Sequence, residues 1–282
     1  AVKIIGELVK EGAITDSTTI RPDKFANYKA EDIVVDGAEG EAINQQSYPS
    51  VKNLTINGAY TSATRAFGNG VWGQGTLKTL TIQATGEDVT INAMAFLRTP
   101  LKSVKIEAKK LTFNGDAAFL NTMLLTHIDL TGVDEITLGA GGKRTFAIDP
   151  YQNGSRSAPT RYVYFKDADA YTAMSSQFGR NTNTYYLVTN GGSVDATKTG
   201  FDAVYLEGFT AQWYNNEACT GTPVTGKPET GKTYYVKWTK GDNVTLISDP
   251  AAENGEVSAA YNPNGSVTLS VKKPGANWLY TW

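Results

Sequence analysis

The chain of 282 residues has one cysteine, Cys219, and one histidine, His127. A single thiol cannot close an internal disulfide or build a cysteine-rich metal cage, and a single imidazole excludes a two-histidine metal site. A nucleophilic Cys/His pair would need Cys219 to reach His127 from a different module, so none is expected. An excess of one charge is lacking too. The 26 basic and 28 acidic residues leave a net charge of −2, which supplies no broad field for nucleic acid or anionic lipid. No apolar run approaches the roughly 18 to 20 residues that span a bilayer, so no direct membrane insertion is expected. The first residues, AVKIIGELVKEGAIT, lack the basic start and unbroken apolar core of a signal peptide. Ile4, Ile5, Leu8 and Val9 instead follow helical spacing and predict a short amphipathic helix over one end of the fold.

Other chemical signatures are equally thin. The glycine-rich GNGVWGQG (68–75) lacks the Lys-Ser/Thr ending of a phosphate loop and the spacing of a dinucleotide fingerprint. The acidic pairs Asp134 with Glu135 and Asp167 with Asp169 read as solvated turns, because nothing in the sequence sets either pair across a sugar. Cys219 falls in a turn and reads as a tolerated small residue rather than a reactive thiol. The expectation is a chain with no catalytic residue, no cofactor and no metal.

What is present is repetition. VKNLTI (51–56), LKTLTI (77–82), LKSVKI (101–106) and LTHIDL (125–130) share apolar first, fourth and sixth positions. Their first residues, Val51, Leu77, Leu101 and Leu125, stand 26, 24 and 24 residues apart. Between them runs a second short apolar stretch ending at Phe67, Phe96, Phe119 and, less regularly, Phe146. Each unit therefore predicts a strand, a second short strand and a helical turn. Stacking such units turns the first, fourth and sixth positions into one core and the residues between them into a shared solvent face. Leu80, Val104, Ile106 and Ile128 should be buried, and Phe67, Phe96 and Phe119 should pile into one aromatic column. KAEDIVV with Phe25, and PTRYVYF (159–165), read as degenerate outer units.

The pattern LxxLxI…AF resembles the BspA-type leucine-rich repeat of bacterial surface proteins, over roughly residues 15 to 185. YVYFKDADAYTAMSSQF stands where that family's last repeat runs into a strand and a short helix, with Tyr171, Met174 and Phe178 at helical spacing to close the stack. After NTNTYYLVTNGGSVDATKTG the chain alternates instead of repeating. GFTAQWYNNEACTGTPVTGKPETGKTYYVKW is similar to the second half of a Listeria-Bacteroides repeat, with Trp213, Tyr234 and Trp238 as its core. GEVSAAYNPNGSVTLSVKK is similar to internalin-type repeats of Gram-positive surface proteins. It pairs Val257, Ala259 and Tyr261 with Val267, Leu269 and Val271 around an NPNG turn, with Tyr261, Leu269 and Trp278 as a small core.

The fold class expected is thus a leucine-rich-repeat solenoid of about five or six irregular units with terminal caps, followed by two small all-β modules. The boundaries fall at 1–183, 184–239 and 240–282, with polar junctions at TNGG and TKGD and the last two modules acting as spacers. The resemblances imply a non-enzymatic protein on or outside a bacterial cell, exported by a signal absent from this chain and acting as a monomer. Its partner would be a host or bacterial surface protein or a glycan. A carbohydrate-active parallel β-helix and a purely architectural spacer are the alternatives. The candidate binding face has three columns: Lys52, Lys78 and Lys102; Asn53, Thr79, Ser103 and His127; Thr55, Thr81, Lys105 and Asp129. Trp72, set among glycines, is the one large aromatic expected to stand out from the repeats, or to fold back over their core.

Overall fold

The computed structural model describes residues 30–71, 74–149, 159–179 and 183–240, together with the backbone of 257–261 and 267–271. The expected N-terminal helix, Phe25, Trp72 and Trp278 lie outside the described residues. Alternation of inward apolar and outward polar residues builds β1 (Asp32–Asp36), β2 (Asn53–Asn57), β3 (Tyr60–Thr61), β4 (Thr79–Asn92), β5 (Ser103–Asn114), β6 (His127–Leu138) and β7 (Arg161–Phe165). A short helix α1 (Ala168–Met174) follows, its first turn capped by Asp167, which accepts the Ala170 N–H at 2.9 Å. Then come β8 (Thr184–Val188), β9 (Ser193–Val194), β10 (Val204–Tyr205), β11 (Phe209–Tyr214) and β12 (Thr233–Lys240). β13 (Val257–Tyr261) and β14 (Val267–Val271) pair antiparallel as a separate hairpin, in the register expected from the sequence.

Ten strands make one sheet in the order β1-β2-β4-β5-β6-β7-β8-β12-β11, with β3 beside β4. Every pairing in it is parallel except β11 with β12. Ile33, Leu54, Leu80, Val104, Ile128 and Val163 are successive partners across six strands. Leu80 and Val104 are 1% exposed and Ile106 and Ile128 fully buried, as the spacing of LKSVKI predicts. β4, β5 and β6 are longer than the short strands expected. Irregularities near Ala84 to Asp88 and Lys105 to Glu107 shift the register. Such bulges re-aim a strand, and beyond them Val89, Ile91, Leu111, Phe113 and Val133 line a second wall of the same core.

The helical turns expected before each phenylalanine are corrected. Arg65, Met94, Ala117 and Arg144, each two residues ahead of a phenylalanine, take left-handed φ values of 57°, 57°, 65° and 52°. Their turns bond sideways to the next unit: Met94 N–H donates to Asp116 O at 3.0 Å, and Phe96 N–H to Ala118 O at 2.8 Å. Phe119 N–H donates in turn to Thr145 O at 2.7 Å. A helix would spend those donors on itself and leave the neighbouring unit's carbonyls unmet. The phenylalanines do stack. Phe67, Phe96, Phe119, Phe146 and Phe178 form one column with centroids 5.8, 4.8, 4.8 and 5.4 Å apart. Phe178 belongs to a single 3-10 turn after α1, where Gln177 Oε1 also accepts the Thr145 hydroxyl at 3.1 Å and ends the ladder.

The expected boundary between residues 183 and 184 is also corrected, because the sheet runs through it. β8 pairs with β7 along its whole length, and β12 adds to β8 from Thr233 to Tyr235. Tyr164 of β7 and Leu187 of β8 share a second core with Ala203, Val204, Trp213, Tyr234, Val236 and Trp238. The polar TNGG junction is a tight turn rather than a linker. Trp238 Nε1 donates to Thr189 O at 3.0 Å, and the same indole would lie 2.4 Å from a Cβ on Gly192.

Candidate ligand-binding face

The outer face of the sheet is built by the residues between the core positions. Asp32, Asn53, Thr79, Ser103 and His127 are direct register partners, as are Val34, Thr55, Thr81, Lys105 and Asp129. Neighbouring strands stand about 4.8 Å apart, so each column can bond along its length. Asn53 Nδ2 donates to Asp32 Oδ1 at 2.6 Å, and the Thr79 hydroxyl donates to Asn53 Oδ1 at 2.7 Å. Lys52, Lys78 and Lys102 lie at the starts of β2, β4 and β5. Their backbones form a chain in which Lys78 N–H donates to Lys52 O and Lys102 N–H to Lys78 O, both at 2.7 Å.

The charges on this face are unevenly committed. Lys52 Nζ pairs with Glu31 at 2.7 Å, and Lys105 Nζ with Glu107 at 2.8 Å. The Glu107 hydrogen bond holds the Lys105 ammonium above its ordinary pKa against the opposing pull of burial. No salt bridge engages Lys78 or Lys102 among the described residues. Asp129 does not belong to an open face. It is 9% exposed, and its Oδ1 accepts both the Thr131 N–H at 3.0 Å and the Thr131 hydroxyl at 2.7 Å. A bulge just beyond Lys105 brings Thr131 back over Asp129, which the strand alternation alone does not reveal.

His127 marks where the open face ends. Its Nε2 meets Lys198 O at 3.1 Å and its Nδ1 the Thr126 hydroxyl at 3.0 Å. Lys198 belongs to the segment from Thr189 to Gly208, which carries β9 and β10 over the outer face of β7 and β8. Beneath it, the columns continue as tyrosines that lie beyond the three columns expected from the sequence. Tyr162 and Tyr185 extend the His127 column, their rings stacked 5.0 Å apart at 11°, and Tyr164 extends the Asp129 column. Stacked on one another, Tyr162 and Tyr185 turn ring edges outward rather than offering a flat platform. Carrying the repeat alignment on through PTRYVYF and TYYLV would have found them. Tyr205, on β10, is 53% exposed and close enough to Lys105 to interact electrostatically.

Cys219 lies away from this face, in the turn between β11 and β12. It is 6% exposed, its Sγ is 3.8 Å from Val236 O, and burial pushes its pKa up, the opposite of what a nucleophilic thiol requires. Among the described residues no three His, Cys, Asp or Glu side chains are grouped to hold a metal ion, and no helix is long and apolar enough to cross a membrane. Comparison with family models, with curated proteins and with solved structures finds no match for this chain.

Proposed function

We propose that the chain is a leucine-rich-repeat solenoid of the BspA type on a bacterial exterior. It binds a surface protein or glycan, without catalysis, through the outer face of β1 to β5. The observation that carries this reading is a contrast along one sheet: among the described residues the outer face is covered by a second apolar core over β7 and β8, but over β1 to β5 it is uncovered and, Val34 apart, polar. A parallel stack that needs only its inner face for stability leaves the outer columns available for recognition. Hydroxyls and amides in rows, beside Lys78 and Lys102, suit a hydroxyl-rich or acidic partner. In this reading the stretch similar to a Listeria-Bacteroides repeat ends the stack instead of spacing it from an anchor. The internalin-like hairpin of β13 and β14 keeps the spacer role.

A glycan and surface-protein array, repeated with Lys78→Ala, Lys102→Ala and Lys105→Ala combined, tests the face. Any ligand found on wild type should bind more weakly to the triple variant, most clearly at low salt, where surface charge is least screened. Unchanged affinity discards the face, and an array with no ligand at all favours the architectural spacer.

A carbohydrate-active parallel β-helix is the second reading. It is favoured by the long bulged strands and by the sideways bonding of the turns at Met94, Ala117 and Phe119, which together make three-walled coils. Release of new reducing ends from a polysaccharide panel would support that reading over the first.

A further inference from the structure

The start of β7 buries a cation with no acid beside it among the described residues. Arg161 has no exposed surface. Its Nη1 donates to Phe146 O at 2.6 Å and its Nη2 to Thr122 O at 2.8 Å, both neutral carbonyls, the second of which also closes a turn by accepting the Leu125 N–H. Nε is equally buried and has no partner. Burial pulls the guanidinium pKa down to about 10, so it stays charged at neutral pH. Buried charges are normally matched by an opposite charge, because desolvation without one is costly.

The acceptors that Arg161 does reach, the Phe146 and Thr122 carbonyls and more distantly the Thr122 hydroxyl oxygen, are all neutral and all lie at its Nη end. Thr184 is the register partner of Arg161 on β8, and Thr184 and Tyr186 share its inward face. Thr184 Oγ1 is buried with no well-formed hydrogen bond, although it stands near enough to the Tyr186 hydroxyl to pull against that group's raised pKa. Among the described residues Tyr186 is the one titratable group close enough to act on Arg161, and burial pushes its own pKa up to about 12, so its hydroxyl keeps its proton. The positive charge of Arg161 thus has an unbonded N–H and, on the neighbouring strand, two hydroxyls but no carboxylate among the described residues. A water molecule would satisfy one donor and leave that charge unmatched, whereas a small monovalent anion accepts from several donors and neutralises it.

We propose that Arg161 Nε, Thr184 Oγ1 and the Tyr186 hydroxyl hold a chloride-sized inorganic anion inside the stack, where β7 meets the strands that close it. The anion binds the folded chain and not the unfolded one, so it stabilises the fold by mass action. Arg161 then ties β7 to the two preceding turns through its Nη groups and to β8 through the ion. This site lies on the inner face and is independent of what the outer face recognises.

Thermal melts of the full chain in sodium chloride, sodium bromide and sodium gluconate at constant ionic strength test the site. Above the dissociation constant, Tm should rise roughly 3 to 5 °C per tenfold increase in chloride or bromide. Gluconate, too large for the site, should give no such rise. Thr184→Val keeps the arginine and both carbonyl bonds and should lose most of the halide response; Arg161→Met should lose all of it. Should Arg161→Met not fold, bromide anomalous scattering from wild-type crystals decides, with a peak within hydrogen-bond distance of Arg161 Nε expected. Equal melts in chloride and gluconate, a halide response that survives Thr184→Val undiminished, or no bromide peak at Arg161 would overturn the proposal.

Discussion

Over β1 to β5 the outer columns carry Asn53, Thr79, Ser103, Thr55, Thr81 and Lys105, whereas over β7 and β8 the same columns carry Tyr162, Tyr164, Tyr185 and Leu187. The inner column stays apolar or aromatic throughout, from Ile33 through Val104 to Val163 and Tyr186. One set of positions therefore decides that the strands stack, and the alternate set decides whether a second layer settles on them. The strands left uncovered by the described residues can remain in water because their outer residues are mostly polar, with Val34 the exposed exception. The closing strands cannot, and the segment from Thr189 to Gly208 covers them. His127 sits at the step between the two regimes, with one ring nitrogen bonded to that cover.

Cutting the chain after Asn183 should break this comparison most severely. It would strip β8 from β7, expose Tyr164 and leave a long unpaired edge. Size-exclusion chromatography should then find aggregate; a soluble monomer with a sharp melt would restore the independent module expected from the sequence. Next in size are two paired core deletions. Phe119→Ala removes a ring from the shared column and Trp213→Ala one from the covered half, each costing about 3 to 5 kcal/mol in urea titrations. Hydrogen exchange should accelerate across β4 to β6 for the first and be confined to β7 to β12 for the second. Equal acceleration everywhere would mean that the two halves unfold as one.

Alkaline pH probes both halves at once. Burial raises the pKa of Tyr60 in the open half and of Tyr164 in the covered half, and pushes Tyr186 up to about 12. A raised folded-state pKa contributes stability that is present below the ordinary tyrosine value of 10 and is lost as pH climbs through the folded value. Arg161 acts in the opposite sense, since its pKa is lowered to about 10 and its burial penalty fades above that point. Three tyrosines against one arginine predict a Tm that falls steadily above pH 10, checked by thermal melts and by tyrosinate absorbance. A Tm that stays flat or rises there would mean the arginine outweighs them. The smallest effect belongs to the turns. Arg65 is exposed with φ 57°, so Arg65→Gly should gain about 0.5 to 1 kcal/mol by relieving left-handed strain, while the neighbouring Ala66→Gly should lose a similar amount.

Much of the inner architecture was legible in the sequence, since burial of every third and second residue leaves a periodic trace. Leu54, Leu80, Val104 and Ile128 could be aligned before being seen as partners, and the phenylalanine spacing pointed to the column. The candidate face was legible as columns but not as a set of available groups. That Lys105 is paired with Glu107, and Asp129 closed over by Thr131, depends on bulges and side-chain bonds that carry no period.

The sequence alone determined which residues face inward and how far apart the units stand, because apolar side chains must leave water wherever the chain goes. Only the tertiary structure decided the rest. The turns before Phe96 and Phe119 became a ladder rather than helices because their backbone donors found carbonyls in the next unit, which no local propensity encodes. The stack likewise did not stop at residue 183. Leu187 and Tyr164 are covered by Val204, Trp213 and Trp238 among others, residues distant in the chain whose fit depends on shape and not on pattern.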